Sequence, residues 1–388
     1  MLPVAFRIPG LGFEVPGYGL ALMVGFMVSI MWAVRRAERS GGNPDVVLNV
    51  GFLALFGGII GSRTMYVVHY WQDFASRPDV IWAILDVRQG GLEVYGGFIT
   101  VVVLVLLYLW YAKHSLRWYL DIFAPSAALG MAIGRVGCFL NGCCWGGTAD
   151  LPWSVRFPFG SGASLQQWTD HEPGAGLPQE LVHFAEGGLY ADGTAAAPLS
   201  RESLRLRDQE IAEAGKHAEL KLQAERTADP ARKKDLLAQL KALPAPENRA
   251  LLMQSQMLRH GKTAAELRAI AHQHRAEPVH PTQLYAAVNL GLLALLLNAL
   301  YWRRTRDGQV ILTFLLIEPW TRWVLEMIRA DNPVDVGGAL TISQFLALGL
   351  SAVGLVGLIA LRALPRRSPR AVWWEPPPSE RKQAQPAR

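Results

Sequence analysis

Charge is scarce in this sequence. Only 18% of its 388 residues are Asp, Glu, Lys or Arg, against 51% hydrophobic. A soluble domain carries about 25% charged residues, so a wholly water-exposed globule is excluded. Cysteine is scarcer still: Cys138, Cys143 and Cys144 sit in one short stretch, and an odd number so close together is a poor disulfide framework. No C-x-x-C pair or His-x-x-x-His partner accompanies them, so no metal site is expected. A phosphate-binding loop, an H-E-x-x-H pair and a Ser-His-Asp arrangement are also missing, which removes the common hydrolase and nucleotide-binding classes. Nothing calls for a cofactor. The net charge of +6 does not require nucleic acid, because basic loops beside membrane spans explain its sign.

Long apolar runs are what the chain has in abundance. Seven are long enough to cross a hydrocarbon core of about 30 Å: Gly17–Ala33, Leu48–Tyr70, Val94–Tyr111, Leu120–Leu140, Leu284–Trp302, Gln309–Met327 and Ile342–Leu361. No small-residue cleavage site follows the first, so it reads as a retained helix and not a removed signal peptide. With the N-terminus outside, alternate loops carry Arg35, Arg36 and Arg39, then Lys113 and Arg117, then Arg303, Arg304 and Arg306, then Arg362, Arg366 and Arg367. The positive-inside rule then places every basic cluster, and the C-terminus, in the cytoplasm. The fold class expected is an all-α integral membrane protein of about seven transmembrane helices with an extracytoplasmic, partly helical head insertion.

Its organisation is four spans in residues 1–147, an extracytoplasmic head over 148–277, three spans in 278–364 and a cytoplasmic disordered tail over 365–388. The head's second half is rich in Ala, Glu, Lys, Leu and Arg, is broken at Pro230, Pro244 and Pro246, and holds a capping box at Thr263 and Glu266. These features predict short helices in a solvated accessory insertion. The closing PPPSERKQAQPAR is too polar and Pro-rich to pack.

Charged residues inside apolar spans cost about 2.5 to 3.5 kcal/mol each on insertion scales, so each needs a partner or a purpose. Arg63 lies in the second span and Arg135 in the fourth, while Arg322, Glu326 and Arg329 follow at i, i+4 and i+7 in the sixth. Arg322 and Glu326 are placed to pair with each other. Arg135 and Arg329 have no such local partner. At 1.5 Å per residue Arg135 lies about 22 Å along its span from Leu120, at headgroup depth, with Tyr18 and Tyr95 at the outward starts of their spans. Guanidinium groups grip phosphate oxygens, so a lipid headgroup is the expected ligand. The G-x-x-x-G pairs Gly57/Gly61 and Gly130/Gly134 predict close helix packing.

The motifs resemble those of the prolipoprotein diacylglyceryl transferase family. GRVGCFLNGCCWGG (Gly134–Gly147) is similar to G-R-x-G-N-F-I-N-G-E-x-x-G-R, HPTQLYAA (His280–Ala287) to H-P-S-Q-L-Y-E, and RWVLEMIR (Arg322–Arg329) to R-F-x-x-E-F-x-R. Supporting blocks are GYGLALMVGF at Gly17, GGIIGSRTMYVV at Gly57, GGLEVYGG at Gly90 and LPWSVRFP at Leu151. The resemblance implies that Arg135 and Arg329 hold the phosphate of phosphatidylglycerol, with Tyr18, Asn141, Gly146 and Tyr285 in support. It adds Arg63, His280, Gln283, Arg322 and Glu326 as substrate-binding positions. The family's H-G-G histidine, a proposed base, is Tyr95 here, and its first signature Asn, its Glu and its final Arg are Cys138, Cys143 and Gly147.

The activity so implied is transfer of diacylglycerol from phosphatidylglycerol to the lipobox cysteine thiol of an exported prolipoprotein, releasing glycerol phosphate. The partners are that lipid, the prolipoprotein signal peptide and the bilayer of a bacterial inner membrane. Tyr95 is the expected proton acceptor. The change at position 95 also suggests two alternatives, a non-catalytic lipid-binding or transport protein and a transferase with another acceptor.

Overall fold

The computed structural model describes residues 4–8, 13–75, 78–87, 91–170, 176–184, 196–227, 229–243, 246–331, 340–368, 370–371 and 373–374. Strands β1 (Val4–Ile8) and β2 (Phe13–Pro16) pair ahead of α1 (Gly17–Ser40). There follow α2 (Pro44–His69), the short α3 (Trp71–Ala75) and α4 (Val80–Leu85), α5 (Val94–Tyr111) and α6 (Leu116–Asn141). Next come α7 (Gly162–Asp170), the antiparallel pair β3 (Val182–Phe184) and β4 (Ala196–Pro198), and α8 (Arg201–Arg205). Four helices, α9 (Asp208–Arg226), α10 (Pro230–Ala242), α11 (Asn248–His260) and α12 (Ala264–Gln273), precede α13 (Thr282–Arg303), α14 (Gln309–Glu326) and α15 (Ile342–Ala360).

Six helices, α1, α2, α5, α6, α13 and α15, are long and apolar enough to cross a membrane. The chain is therefore an all-α, multi-pass membrane protein. The helix at the seventh expected span, α14, has 18 residues but carries Glu318, Arg322 and Glu326, too much charge for a purely apolar span. The tail residues 375–388, Gly90 of the GGLEVYGG block and Pro244 lie outside the described residues.

Two compact units make up the chain. The first comprises Ala5–Gly137, Leu284–Met327 and Val334–Arg388 and contains nearly all of the apolar helices. Their outward faces are greasy, with Phe52, Ile60, Val288 and Leu295 each more than half exposed. That is the pattern of a surface that meets lipid instead of water. Inside, polar groups are paired. Arg36, expected in an inner loop, is instead buried, donating to the Ile122 carbonyl at 2.8 Å, Ser126 Oγ at 2.9 Å and Asn298 Oδ1 at 2.9 Å, with its guanidinium 4.5 Å from the Trp32 ring centroid. With those partners α1 continues past Ala33 to Ser40. Buried Asp121 accepts from the backbone N–H groups of Gly308 (2.7 Å), Val310 and Ile311 (both 2.9 Å), filling the orphan donors at the start of α14 with the charge a helix N-terminus favours.

The expected tight packing at Gly57/Gly61 is present where α2 meets α5. A Cβ on Gly61 would lie 2.7 Å from the Gly96 carbonyl oxygen, and one on Gly96 would lie 2.5 Å from that of Gly61. Backbones this close admit only glycine. Of the pair Gly130/Gly134, Gly130 packs tightly against α1, where a Cβ would collide with Ser29 Oγ, while at Gly134 a Cβ would meet only Leu22 at an ordinary 3.5 Å.

The second unit comprises Met1–Val4, Cys138–Gln283 and Ile328–Pro333. Its short helices break at Pro230, which opens α10, and α12 starts at the capping box of Thr263 and Glu266. More than a solvated arm, it has a core of its own, in which Phe159, Leu181, Leu199, Ile211, Met253 and Leu267 are buried together. Gln256, buried beside them, donates to the Val182 carbonyl at 2.7 Å.

The stability of this unit depends on pH through His183 and His274. Burial holds both imidazoles below their ordinary value near 6.5, so the unfolded chain binds more protons as pH falls. Their contribution is present above pH 6.5 and lost as pH falls through that value. The Glu266 carboxyl is held below its ordinary range by the Thr263 backbone N–H, and its contribution is lost at lower pH. Amide protection factors in α11 and α12, that is exchange rates divided into the intrinsic rate at each pH, should fall between about pH 7 and pH 5, and His274→Gln should flatten that dependence.

Candidate functional site

Three stretches far apart in sequence are laced together by backbone hydrogen bonds around Gly146. The Gly146 N–H donates to the His280 carbonyl at 3.0 Å, and the His280 N–H donates to the Gly147 carbonyl at 3.0 Å. On the other side the Gly147 N–H donates to the Ile328 carbonyl at 2.9 Å, and the Ala330 N–H to the Trp145 carbonyl at 3.3 Å, making Gly146 and Arg329 an antiparallel bridge. A Cβ on Gly146 would sit 2.6 Å from His280 Cβ, 2.9 Å from Thr282 Cγ2 and 3.0 Å from the Ile328 carbonyl oxygen. Only glycine fits between two backbones here.

The side chains after His280 hold the same loop. Thr282 Oγ1 donates to the Cys144 carbonyl at 2.6 Å and Gln283 Nε2 to the Cys143 carbonyl at 2.7 Å. Gln283 is 1% exposed, and among the described residues its Oε1 has no partner. Gln283, expected at substrate, anchors this loop. Asn141, at the end of α6, is exposed. Arg329, read from sequence as lacking a local partner, has one two residues on: its Nε and an Nη reach the two Asp331 oxygens at 2.9 and 3.0 Å.

In the membrane-helix unit a different set gathers along α14. Arg322 donates to Ser343 Oγ at 3.2 Å, and the Tyr95 hydroxyl lies 3.5 Å from that same Ser343 oxygen. Buried Glu326 bonds to Thr341 Oγ1 at 3.3 Å, so Arg322 and Glu326 each have a partner across the helix pair formed with α15. Glu318, one turn before Arg322, feels the charges of both Arg322 and Arg135. Among the described residues neither the Glu318 carboxylate nor the Arg135 guanidinium makes a hydrogen bond. Glu318 was missed in the sequence, although the spacing 318, 322, 326, 329 extends the polar face of this helix by one turn.

Other expected residues fall elsewhere. Arg63 is committed to a loop, donating to the carbonyls of Ala83 (2.6 Å), Ile84 (2.8 Å), Asp86 (2.9 Å) and Gly91 (2.9 Å), and flanked by Tyr66 and Phe74 at 5.5 and 5.4 Å. A guanidinium with those donors occupied clamps the α4 turn. Tyr18 stands at the first turn of α1 against Gly137, and Tyr285 in the first turn of α13.

A family model described as prolipoprotein diacylglyceryl transferase matches residues 3–360. The chain belongs to the prolipoprotein diacylglyceryl transferase family. It is similar to the phosphatidylglycerol–prolipoprotein diacylglyceryl transferase of Rhodopirellula baltica, with 29% identity over 390 residues, 89% of this chain and 72% of that protein. The Bdellovibrio bacteriovorus protein of the same name is 30% identical over 370 residues, 92% of each chain. That of Pseudoalteromonas translucida is 34% identical over 161 residues, 41% of this chain and 58% of that protein.

In this diacylglyceryl transferase family member, then, the signature loop is a packed junction of three motifs. Gly146→Ala should destabilise the protein by about 1 to 3 kcal/mol, the usual cost of overpacking, because two of the obstructing groups belong to backbone or Cβ. Thermal unfolding in detergent, followed with Gly147→Ala as the control at a site with open space, measures it. An unchanged midpoint for Gly146→Ala would contradict the packing described.

Proposed function

We propose that this protein transfers the diacylglyceryl group of phosphatidylglycerol to the thiol of a prolipoprotein's lipobox cysteine, forming a thioether and releasing glycerol phosphate. It does so in a bacterial inner membrane, with the N-terminus and the head outside and the C-terminus in the cytoplasm. The family match over residues 3–360 and the transferase relatives of Rhodopirellula baltica and Bdellovibrio bacteriovorus support the transferase over a non-catalytic binder. The observation that carries the reading is Arg135, a cation on a membrane helix whose guanidinium is left without a hydrogen bond among the described residues. A charge kept at that cost and left unbonded is placed for an anionic ligand.

The thiolate attacks the glyceryl carbon that bears the phosphate ester. A carbon–sulfur bond forms, the carbon–oxygen bond breaks, and its electron pair leaves on the phosphate oxygen. Arg135, with Arg322 as the second cation of the set, neutralises that developing charge in a water-poor site. Arg329 is held by Asp331 and is assigned no such role. Arg135→Ala should lower thioether formation by 10²-fold or more, the loss typical of removing one such donor, with phosphatidylglycerol and a lipobox peptide as substrates and mass spectrometry as the readout. Retained activity would remove Arg135 from the reaction.

The thiol, with an ordinary pKa near 8.5, must also lose its proton, since thiolate is the nucleophile. Tyr95, the acceptor expected from the sequence, turns its hydroxyl toward Ser343. Glu318 is the better candidate: a carboxylate beside both arginines with no hydrogen bond of its own. Tyr95 then orients Arg322 through Ser343. Glu318→Gln should slow turnover and leave a rate that climbs with pH, as bulk solvent ionises the thiol. Tyr95→Phe should keep the wild-type pH profile. The opposite pattern would return the proton to Tyr95.

A further inference from the structure

The turn after α6 brings all three cysteines of the chain together. The sulfurs of Cys138, Cys143 and Cys144 lie within 4.8 Å of one another, and none of the three is in a disulfide, Cys138 being buried and the others partly exposed. The turn is built to converge them. The N–H groups of Gly142 and Cys143 both donate to the Cys138 carbonyl, at 2.8 and 3.2 Å, folding the chain back over the last helical turn. Gly142 (φ 79°) and Cys144 (φ 60°) then take left-handed conformations, which a non-glycine residue rarely adopts without surrounding support. Gln283 and Thr282 supply that support by holding the Cys143 and Cys144 carbonyls.

We infer that Cys138, Cys143 and Cys144 form a three-thiolate site for a thiophilic divalent ion of the zinc class. Three sulfurs bound at about 2.3 Å around a tetrahedral ion stand about 3.8 Å apart, so closure from the observed cluster needs movements of an ångström or less. On binding, three thiols release three protons and form three metal–sulfur bonds. The fourth position stays open to water on the partly exposed side of Cys143 and Cys144, the arrangement of three-ligand zinc centres. A disulfide suits the cluster less well. Adjacent Cys143 and Cys144 have Cα atoms about 3.8 Å apart, below the usual 4.4–6.8 Å for a bridged pair, and any single bridge leaves one sulfur over. The absence of a C-x-x-C motif hid the site, because the two left-handed residues close a spacing that a straight helix would keep open. Bound metal would tie the end of α6 to the loop carrying Gly146, independently of which residue moves the catalytic proton.

Titration of the reduced, full-length protein in detergent with cadmium(II), a zinc surrogate whose thiolate complexes absorb in the ultraviolet, tests this. The expected result is a sulfur-to-metal charge-transfer band that saturates at one ion per chain, with all three thiols protected from alkylation. Cys138→Ser, Cys143→Ser and Cys144→Ser should each weaken binding by tenfold or more, and Thr282→Val, which removes a group orienting the loop, by about tenfold. Wild-type protein with no band, or protein isolated with two of these cysteines oxidised to a disulfide, would overturn the proposal whether or not the variants fold. So would single serine variants that bind cadmium(II) as tightly as wild type.

Discussion

Everything in this structure follows from the difficulty of leaving a polar group unpaired in hydrocarbon. The protein answers it by giving nearly every buried charge a set of partners. Arg36 spends its donors on a carbonyl, a hydroxyl and an amide; Arg63 on four carbonyls; Asp121 on three N–H groups at the start of α14. These ions are structural, and removing one partner from such a set exposes the full desolvation cost of the other. Against that background Arg135 and Glu318, with no hydrogen bond among the described residues, stand apart. The scaffold's charges are marked by their hydrogen bonds; Arg135 and Glu318 are marked by having charge for a neighbour, each other's and that of Arg322, in place of hydrogen bonds.

A second requirement is that chemistry carried on helices be held at fixed positions by something stiffer than side chains. In the head unit that role falls to backbone. The stretch Trp145–Gly147 is hydrogen-bonded on one edge to His280 and on the other to Ile328 and Ala330, and Gly146 lets the chains approach closely enough to do it. His280 and Gln283, which a motif reading assigns to substrate, are seen here, with Thr282, as anchors of a loop. Backbone junctions of this kind have little freedom to adjust, which is why a single methyl at Gly146 is felt.

The helices were legible in the sequence because length and hydropathy are local. The run read as Gln309–Met327 is the helix Gln309–Glu326, and Ile342–Leu361 is Ile342–Ala360. Charge hides the end of α1: Arg35 and Arg36 mark a boundary near Ala33 in the sequence, yet Arg36 reaches Asn298, 262 residues away, and the helix continues to Ser40. Partners at such separations leave no local trace. The same holds for Arg329, whose Asp331 was in plain sight, and for Arg63, whose carbonyl partners carry no side-chain signature at all. The pairing of β3 with β4 and the head's own core were hidden for a related reason, since short strands amid helical composition offer no periodicity to read. Glu318 was legible and overlooked, one turn before a triad that had already been noticed. The cysteine cluster was not legible, because its convergence depends on two left-handed residues.

Charge balance gives the Arg135, Arg322 and Glu318 set its chemical sense. Two guanidinium groups and one carboxylate leave one positive charge, which the single negative charge of a phosphodiester headgroup cancels. In the proposed reaction the thiol proton passes to Glu318, and the departing glycerol phosphate carries about two negative charges at neutral pH. The carboxylate has by then become neutral, and the two arginines balance the product as they balanced the reactants. A water-poor site penalises any net charge created within it, so a proton acceptor inside the set keeps the total constant through the transition state. An acceptor outside it would leave the product's extra charge uncompensated. The link of Tyr95 to Arg322 through Ser343 suits the holding of a cation better than the taking of a proton.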